Sequence, residues 1–327
     1  MSDESPDIVV LGEKAHGIPS TECATALEER LPGYDVRMAR TSVEADELVP
    51  KSPIVVGLGV DAELIERADR LEYFAAASAG IGHLPMDAFN ENGVAVTNAG
   101  GVHVPNIPEH VIGCMLTVAR RLDQGWRQQR ERRWQHFQSF GELEGSTVTI
   151  VGLGPIGQGI VERLEPFGVD TIGVRYTPEK GGPTDEVIGF DADDFEDALV
   201  RTDYLVLACP LSETTRGLIG DDEFDALPTD AVLINIGRGP IVDTDALLGA
   251  IRGNKIHKAY LDVTDPEPLP DEHPLWNQED VLITPHVSGH TWEYWTRVAD
   301  IVAENVRTAE ETGQYRDLRN QVNDDNL

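Results

Sequence analysis

The chain has 327 residues, 26 basic and 58 acidic side chains, a formal net charge of −32 and 40% hydrophobic residues. This length suits two domains, each with its own core, and this hydrophobic content excludes a disordered chain. No apolar run approaches the ~20 residues of a membrane span, and so negative a surface repels phosphate backbones and anionic lipid, which argues against nucleic-acid and membrane partners. In the first hundred residues, short apolar runs predict strands over Ile8–Leu11, Val36–Arg40, Ile54–Val56, Tyr73–Ala77 and Val94–Thr97. Helical spacing falls between them, over Thr21–Arg30 and Ser42–Val49, the second opened by Thr41 or Ser42 as a cap. Strands separated by helix-length segments imply βαβ units and a parallel sheet. A stretch rich in Gly and Pro, from Asn98 to Pro108, breaks the pattern and marks an interdomain crossing.

From Glu109 to about Arg121, Val111, Ile112, Met115, Leu116 and Val118 fall at the spacing of a long, mostly buried helix. A second series of strands follows, near Thr147–Val151, Asp170–Val174, Tyr204–Leu207, Val232–Asn235, Lys258–Leu261 and Val281–Thr284. After Pro285 come one helical segment, Trp292 to about Glu311, and a polar tail.

Lysine is nearly absent: Lys14, Lys51, Lys180, Lys255 and Lys258 are all of it. The composition resembles that of proteins from salt-accumulating halophiles, where concentrated cations screen like charges; an acidic mesophilic protein is the plainer alternative. Cys23, Cys114 and Cys209 are scattered, with no CxxC or Cys/His cluster, which fits reduced thiols and no metal site. With no charged-then-apolar leader at its start, the protein is expected to be cytoplasmic. The run from Arg120 to Arg133 holds Arg120, Arg121, Arg127, Arg130, Arg132 and Arg133. On an acidic body this positive island is expected to pair with acids of a partner subunit.

The strongest local signal is Val148-Thr-Ile-Val-Gly152-Leu-Gly154-Pro155-Ile156-Gly157, a GxGxxG that ends an apolar run and opens a helix-period segment. Gly152 allows the tight turn, Gly154 lets backbone approach a pyrophosphate, and Gly157 lets helix and strand pack closely. The helix N-terminus presents free N–H groups and a positive dipole end to phosphates. The next predicted strand ends at Val174-Arg175-Tyr176-Thr177, where NAD-binding folds usually carry an acid for the ribose diol. Arg175 suits a 2′-phosphate instead, and Tyr176, Thr177 and Lys180 add hydrogen bonds and charge. An ordinary solvated strand end is the alternative for Arg175.

Three further segments stand where late strands end: Asn235-Ile236-Gly237-Arg238-Gly239, Asp262 to Pro268 containing Glu267, and Thr284-Pro285-His286. Ligands of open α/β sheets bind at such ends. An Arg, a Glu and a His beside a nicotinamide are the set needed to reduce a 2-oxo acid, although each alone is weak evidence.

These motifs, with Pro210-Leu-Ser-Glu-Thr-Thr-Arg216 and Leu261-Asp-Val263, resemble the D-isomer-specific 2-hydroxyacid dehydrogenase family over nearly the whole chain. Ser78-Ala-Gly-Ile81 and Pro108-Glu-His110 match more loosely. The resemblance implies an α/β fold of two doubly wound parallel-sheet domains. A Rossmann coenzyme domain, residues 99–287, is inserted in a flavodoxin-like substrate domain, residues 1–98 and 288–327. It implies Arg238 on the substrate carboxylate and 2-oxo oxygen, His286 as general acid and base, and Glu267 orienting His286 and raising its pKa. It implies backbone N–H groups of Ala79 and Gly80 on the carboxylate, Asp262 at the nicotinamide amide, and Cys209 and Pro210 on the adenosine side. The coenzyme segment Gly152 to Gly157, with Pro155 and Ile156, and the segment Ile236 to Arg238 complete the nucleotide site, and domain closure would exclude water. A homodimer through the coenzyme domain is expected.

Two departures stand out. Many relatives have Asp where this chain has Gly82, bracing the substrate loop, and Arg175 replaces the NAD-type acid. The chain, ending at Leu327, is also expected to lack the C-terminal regulatory domain of some phosphoglycerate dehydrogenases. The expected activity is reduction of small 2-oxo acids to D-2-hydroxy acids, with NADPH preferred and NAD(H) a weaker alternative. A glyoxylate or hydroxypyruvate reductase is the rival of the same chemistry. A nucleotide-sensing, corepressor-like interaction protein is the rival of another class, disfavoured by the near absence of a tail.

Overall fold

The structure, a computed structural model, describes residues 5–137 and 140–323. The chain divides into two compact units, Met1–His103 with His290–Leu327, and Val104–Gly289. The sequence places these crossings at 98/99 and 287/288.

The first unit opens with β1 (Ile8–Leu11), a short hairpin of β2 (Lys14–Ala15) and β3 (Ile18–Pro19), and α1 (Thr21–Arg30). It continues through β4 (Val36–Ala39), α2 (Ser42–Leu48), β5 (Ile54–Gly57), α3 (Ala62–Glu66), β6 (Tyr73–Ala76), α4 (Met86–Glu91) and β7 (Ala95–Thr97). The parallel sheet runs β4-β1-β5-β6-β7. Leaving the hairpin aside, that is the flavodoxin-like order 2-1-3-4-5. Along β1, Ile8 and Val10 enter one core and Val9 and Leu11 the other, so both sheet faces are covered. Thr41 caps α2 by accepting the Glu44 amide at 3.2 Å, while the Glu44 carboxylate accepts the Arg40 amide at 2.6 Å.

The second unit begins with α5 (Ile107–Ala119) and α6 (Leu122–Arg130), then β8 (Thr147–Val151), α7 (Pro155–Leu164), β9 (Asp170–Val174), β10 (Glu186–Ile188) and α8 (Ala192–Val200). β11 (Tyr204–Leu207), α9 (Asp221–Ala226), β12 (Val232–Asn235), α10 (Thr244–Arg252), β13 (Lys258–Leu261) and β14 (Val281–Ile283) complete it. Its parallel sheet has the order β10-β9-β8-β11-β12-β13-β14, the Rossmann order 3-2-1-4-5-6 with a seventh strand added. The pairing register aligns Val174, Val151, Leu207, Asn235, Leu261 and Ile283 in one row across the sheet. Every segment of interest in this unit leaves the sheet just beyond that row.

α11 (Tyr294–Thr312) returns to the first unit, with Trp295 fully buried and its indole N–H donating to the Ile18 carbonyl at 2.9 Å. Trp292, expected to open this helix, stays outside it and exposed. The segment read as a polar tail is docked rather than loose. Val322 N–H donates to the Val96 carbonyl at 2.9 Å, and Asn323 Oδ1 accepts the Val96 amide at 2.9 Å, extending the β7 edge. The arginine island is also partly satisfied within the chain. Arg127 pairs with Glu279, Arg133 with Glu131 at 3.0 Å, and Arg120 lies over the Phe140 ring. No helix among the described residues is long and apolar enough to cross a membrane.

Candidate active site

The turn after β8 is shaped by two glycines. Gly152 has φ +104°, and a Cβ there would lie 2.7 Å from the Cys209 amide nitrogen. A Cβ at Gly157 would lie 2.0 Å from the Gly152 carbonyl oxygen, so only glycine lets α7 sit this close to its strand. Gly154, the N-cap of α7, has no atom within 4 Å of where its Cβ would stand. Exposed backbone beside an open space at a helix N-terminus, at the β8/β11 switch of the sheet, fits a dinucleotide pyrophosphate. Pro155 and Ile156 form the first turn of α7 beside it. Cys209 is buried, its thiol pushed up to about 11 by burial, and its backbone floors the site beneath Gly152 and Gly237.

At the end of β9, the Arg175 guanidinium donates to the Gly181 carbonyl, and Tyr176 and Thr177 are exposed. No carboxylate among the described residues forms an ion pair with Arg175. Pro210 is exposed, with its carbonyl accepting the Thr215 hydroxyl at 2.7 Å.

Beyond β12, the buried Asn235 shapes the next turn. Its side chain accepts the Gly237 amide at 3.0 Å and donates to the Arg238 carbonyl at 3.1 Å. Ile236 and Gly237 are buried, whereas the Arg238 side chain is exposed and pairs with no acid among the described residues. Its one hydrogen bond within that set goes to the Gly237 carbonyl at 2.7 Å. With Nη1 on that carbonyl, the planar cation leaves its Nε and Nη2 edge for a carboxylate.

Beyond β13 and β14, His286 Nδ1 meets Glu267 Oε1 at 2.6 Å. An ionised carboxylate only accepts, so Nδ1 carries the hydrogen and Nε2 is left for chemistry. His286 takes a left-handed φ of +53°, and its amide bonds the carbonyls of Asp262 and Thr284 at 2.9 Å. Asp262 holds this turn. It is 3% exposed, and its Oδ1 accepts the Thr284 hydroxyl at 2.6 Å and the Val287 amide at 2.8 Å, while Oδ2 accepts the Ser288 amide at 2.9 Å. Burial pushes its carboxyl up, but the bonds from Ser288, Thr284 and Val287 outweigh that and leave it below the usual carboxylate range.

In the other unit, Ala79 and Gly80 are exposed just after β6. The Ala79 carbonyl accepts from Asn98 at 3.0 Å and the Gly80 carbonyl from Ser78 at 2.9 Å. Neither amide donates a hydrogen bond among the described residues. The Ser78 carbonyl accepts the Ala99 amide at 3.0 Å, so the peptides that carry the Ala79 and Gly80 amides are held through the Ser78 and Ala79 carbonyls, and both donors are presented by fixed planes.

Asn235, Thr284 and Ser288, which set the Arg238 and His286 turns, were not singled out from the sequence. Asn235 and Thr284 each open a motif and carried a signal there; Ser288 had none. Among the described residues, no group of three His, Cys, Asp or Glu is placed to hold a metal ion.

The chain is similar to known proteins over most of its length. Residues 112–288 match the model of the D-isomer specific 2-hydroxyacid dehydrogenase NAD-binding domain. A D-3-phosphoglycerate dehydrogenase of Archaeoglobus fulgidus is 32% identical over 284 residues, covering 85% of this chain. The chain spans 53% of that relative's length. The human glyoxylate reductase/hydroxypyruvate reductase is 34% identical over 255 residues, 76% of each protein. Among solved structures, a D-isomer specific 2-hydroxyacid dehydrogenase of Xanthobacter autotrophicus, in complex with NADPH and MES, superposes with a TM-score of 0.76 at 28% identity. That match covers 98% of both chains. With its two doubly wound sheets and nucleotide-binding turn, the chain belongs to the D-isomer-specific 2-hydroxyacid dehydrogenase family.

Proposed function

We propose that the protein reduces small 2-oxo acids to D-2-hydroxy acids with a nicotinamide coenzyme, NADPH in preference to NADH. The observation that carries the reading is the 2.6 Å pair of His286 Nδ1 and Glu267 Oε1, with Arg238 following a neighbouring strand of the same sheet and paired with no acid among the described residues. When bound, the nicotinamide supplies the hydride. The pyrophosphate is held by the turn from Gly152 to Gly157, and Arg175, Tyr176 and Thr177 hold the 2′-phosphate. Cys209 and Pro210 line the adenosine side, with Ile236, Gly237 and Asp262 on the nicotinamide side.

The free amides of Ala79 and Gly80 and the fork of Arg238 bind the substrate carboxylate. Arg238 also polarises the 2-oxo oxygen, drawing charge toward it as the carbonyl is reduced. His286 gives the Nε2 proton to that oxygen, and Glu267 fixes the ring and stabilises its positive charge before transfer. In oxidation, the same nitrogen takes the hydroxyl proton.

The coenzyme preference is supported by Arg175 at the ribose-binding position and by the NADPH found in the Xanthobacter relative. Glyoxylate and hydroxypyruvate are favoured among substrates by the human relative's activity. A homodimer is supported by the exposed aromatic face of the arm after α5, where Trp126 is 52% and Trp134 96% exposed. A cytoplasmic, salt-rich setting is supported by the charge of −32. The test is turnover of glyoxylate, hydroxypyruvate, pyruvate and 2-oxoisocaproate with each coenzyme. No oxidation of NADPH or NADH with any of the four would overturn the reading.

A further inference from the structure

We infer that His83 and Glu13 are positioning residues that hold the carboxylate-binding loop, Ser78–Leu84, by clamping Leu58 of the neighbouring loop at both its carbonyl and its amide. The inference rests on the assignment of Ala79 and Gly80 as carboxylate donors and names what keeps them in place.

The loop needs such a brace. Gly82 brings no side chain, and no atom lies within 4 Å of where its Cβ would stand, so it braces nothing. The residue after it takes that part differently. His83 Nε2 lies 2.7 Å from the Leu58 carbonyl oxygen. A carbonyl only accepts, so Nε2 carries the hydrogen. The Leu58 amide donates to Glu13 Oε2 at 2.5 Å. Glu13 is itself anchored: its amide donates to the Ser20 hydroxyl at 3.0 Å, and that hydroxyl donates to the Leu11 carbonyl at 2.6 Å. A line of hydrogen bonds thus runs from the end of β1, through Ser20, Glu13 and the backbone of Leu58, to His83 on the substrate loop.

The position of Glu13 explains why this is a brace and not a second ligand site. In sheets of this strand order, ligands collect in the crevice between the ends of the first and third strands. Here that crevice is a cavity of about 470 Å³ between the ends of β1 and β5, with Glu13 and Arg40 on its wall. The backbone N–H of Leu58, which could receive an anion there, is already taken by the Glu13 carboxylate.

The test compares His83→Ala, His83→Gln and wild type. Steady-state kinetics with a 2-oxo acid are paired with hydrogen exchange of the amides in residues 78–84. Losing the bond to Leu58 should raise KM for the 2-oxo acid about 5- to 10-fold. KM for the coenzyme and kcat should stay within about twofold, and loop exchange should quicken. Glutamine, whose side-chain amide can reach the same carbonyl, should restore most of the KM and slow the exchange again. An unchanged KM in His83→Ala, unchanged exchange, or no rescue by glutamine would each overturn the proposal. If the wild type turns over no 2-oxo acid, the carboxylate assignment falls and exchange alone decides: quickened exchange upholds the brace and unchanged exchange removes it.

Discussion

Thr284 closes a 2.6 Å hydrogen bond from its hydroxyl onto the carboxylate of Asp262, tying the turn after β14 to the end of β13. The same carboxylate takes the amides of Val287 and Ser288, so the turn that carries His286 hangs on one buried anion. Asp262→Ala would strand these donors and should cost about 2–3 kcal/mol of stability. Because the folded pKa lies below the unfolded one, the contribution is fully present above about pH 4 and is lost as pH falls through the folded value. Thermal melts at pH 7 and pH 3 should show a large gap between wild type and Asp262→Ala at the first and a smaller one at the second. Equal gaps would refute the linkage.

His286→Ala should lower kcat by about 10²–10⁴ and leave the coenzyme dissociation constant nearly unchanged. Single-turnover kinetics with fluorescence titration of NADPH separate the two. A mutant keeping more than about a third of wild-type turnover, where chemistry limits the rate, would remove His286 from the acid–base role.

Glu267 acts through His286, so their effects should not add. A double-mutant cycle on kcat should give a coupling of about 1–3 kcal/mol, with Glu267→Ala nearly silent once His286 is alanine. Additive losses would mean that Glu267 serves the reaction by another route.

Wild-type protein should favour NADPH over NADH in kcat/KM by about 10- to 150-fold, the worth of a charge-assisted contact of about 1.5–3 kcal/mol. Arg175→Asp should reverse the preference, chiefly through coenzyme KM. Measured at one salt concentration, an NADH preference in the wild type would defeat the assignment of Arg175.

A net charge of −32 predicts that Tm climbs steeply from dilute buffer to molar KCl, as cations screen the surface. A flat Tm across that range would reject a salt-adapted surface without touching the site.

The apolar runs made the fold legible, because strands covered on both faces lack competing signals. β1, β8, β9, β11, β12 and β13 occupy the residues their hydrophobic runs span. Short amphipathic pieces such as α9, and the polar residues from Leu318 to Asn323, offered no such run. The latter segment is held by side-chain amides reaching β7, a pairing that periodicity does not encode. At the site, charged residues after strands were visible as motifs. The neutral side chains that aim them were not: Asn235 and Ser288 reveal their part only once their backbone partners are known. His83 was hidden for the same reason, since its partner Leu58 lies 25 residues away.

The shared row in which Val174, Val151, Leu207, Asn235, Leu261 and Ile283 stand makes strand length a fixed dimension of this protein. Deleting one residue from β12 would draw Arg238 back by ~3.3 Å and turn every later side chain of the strand to the opposite face. Insertions beyond the row leave it intact. Length variation is therefore excluded within the strands, and any redesign of substrate choice should be written on the far side of that line, with the strands kept to the residue.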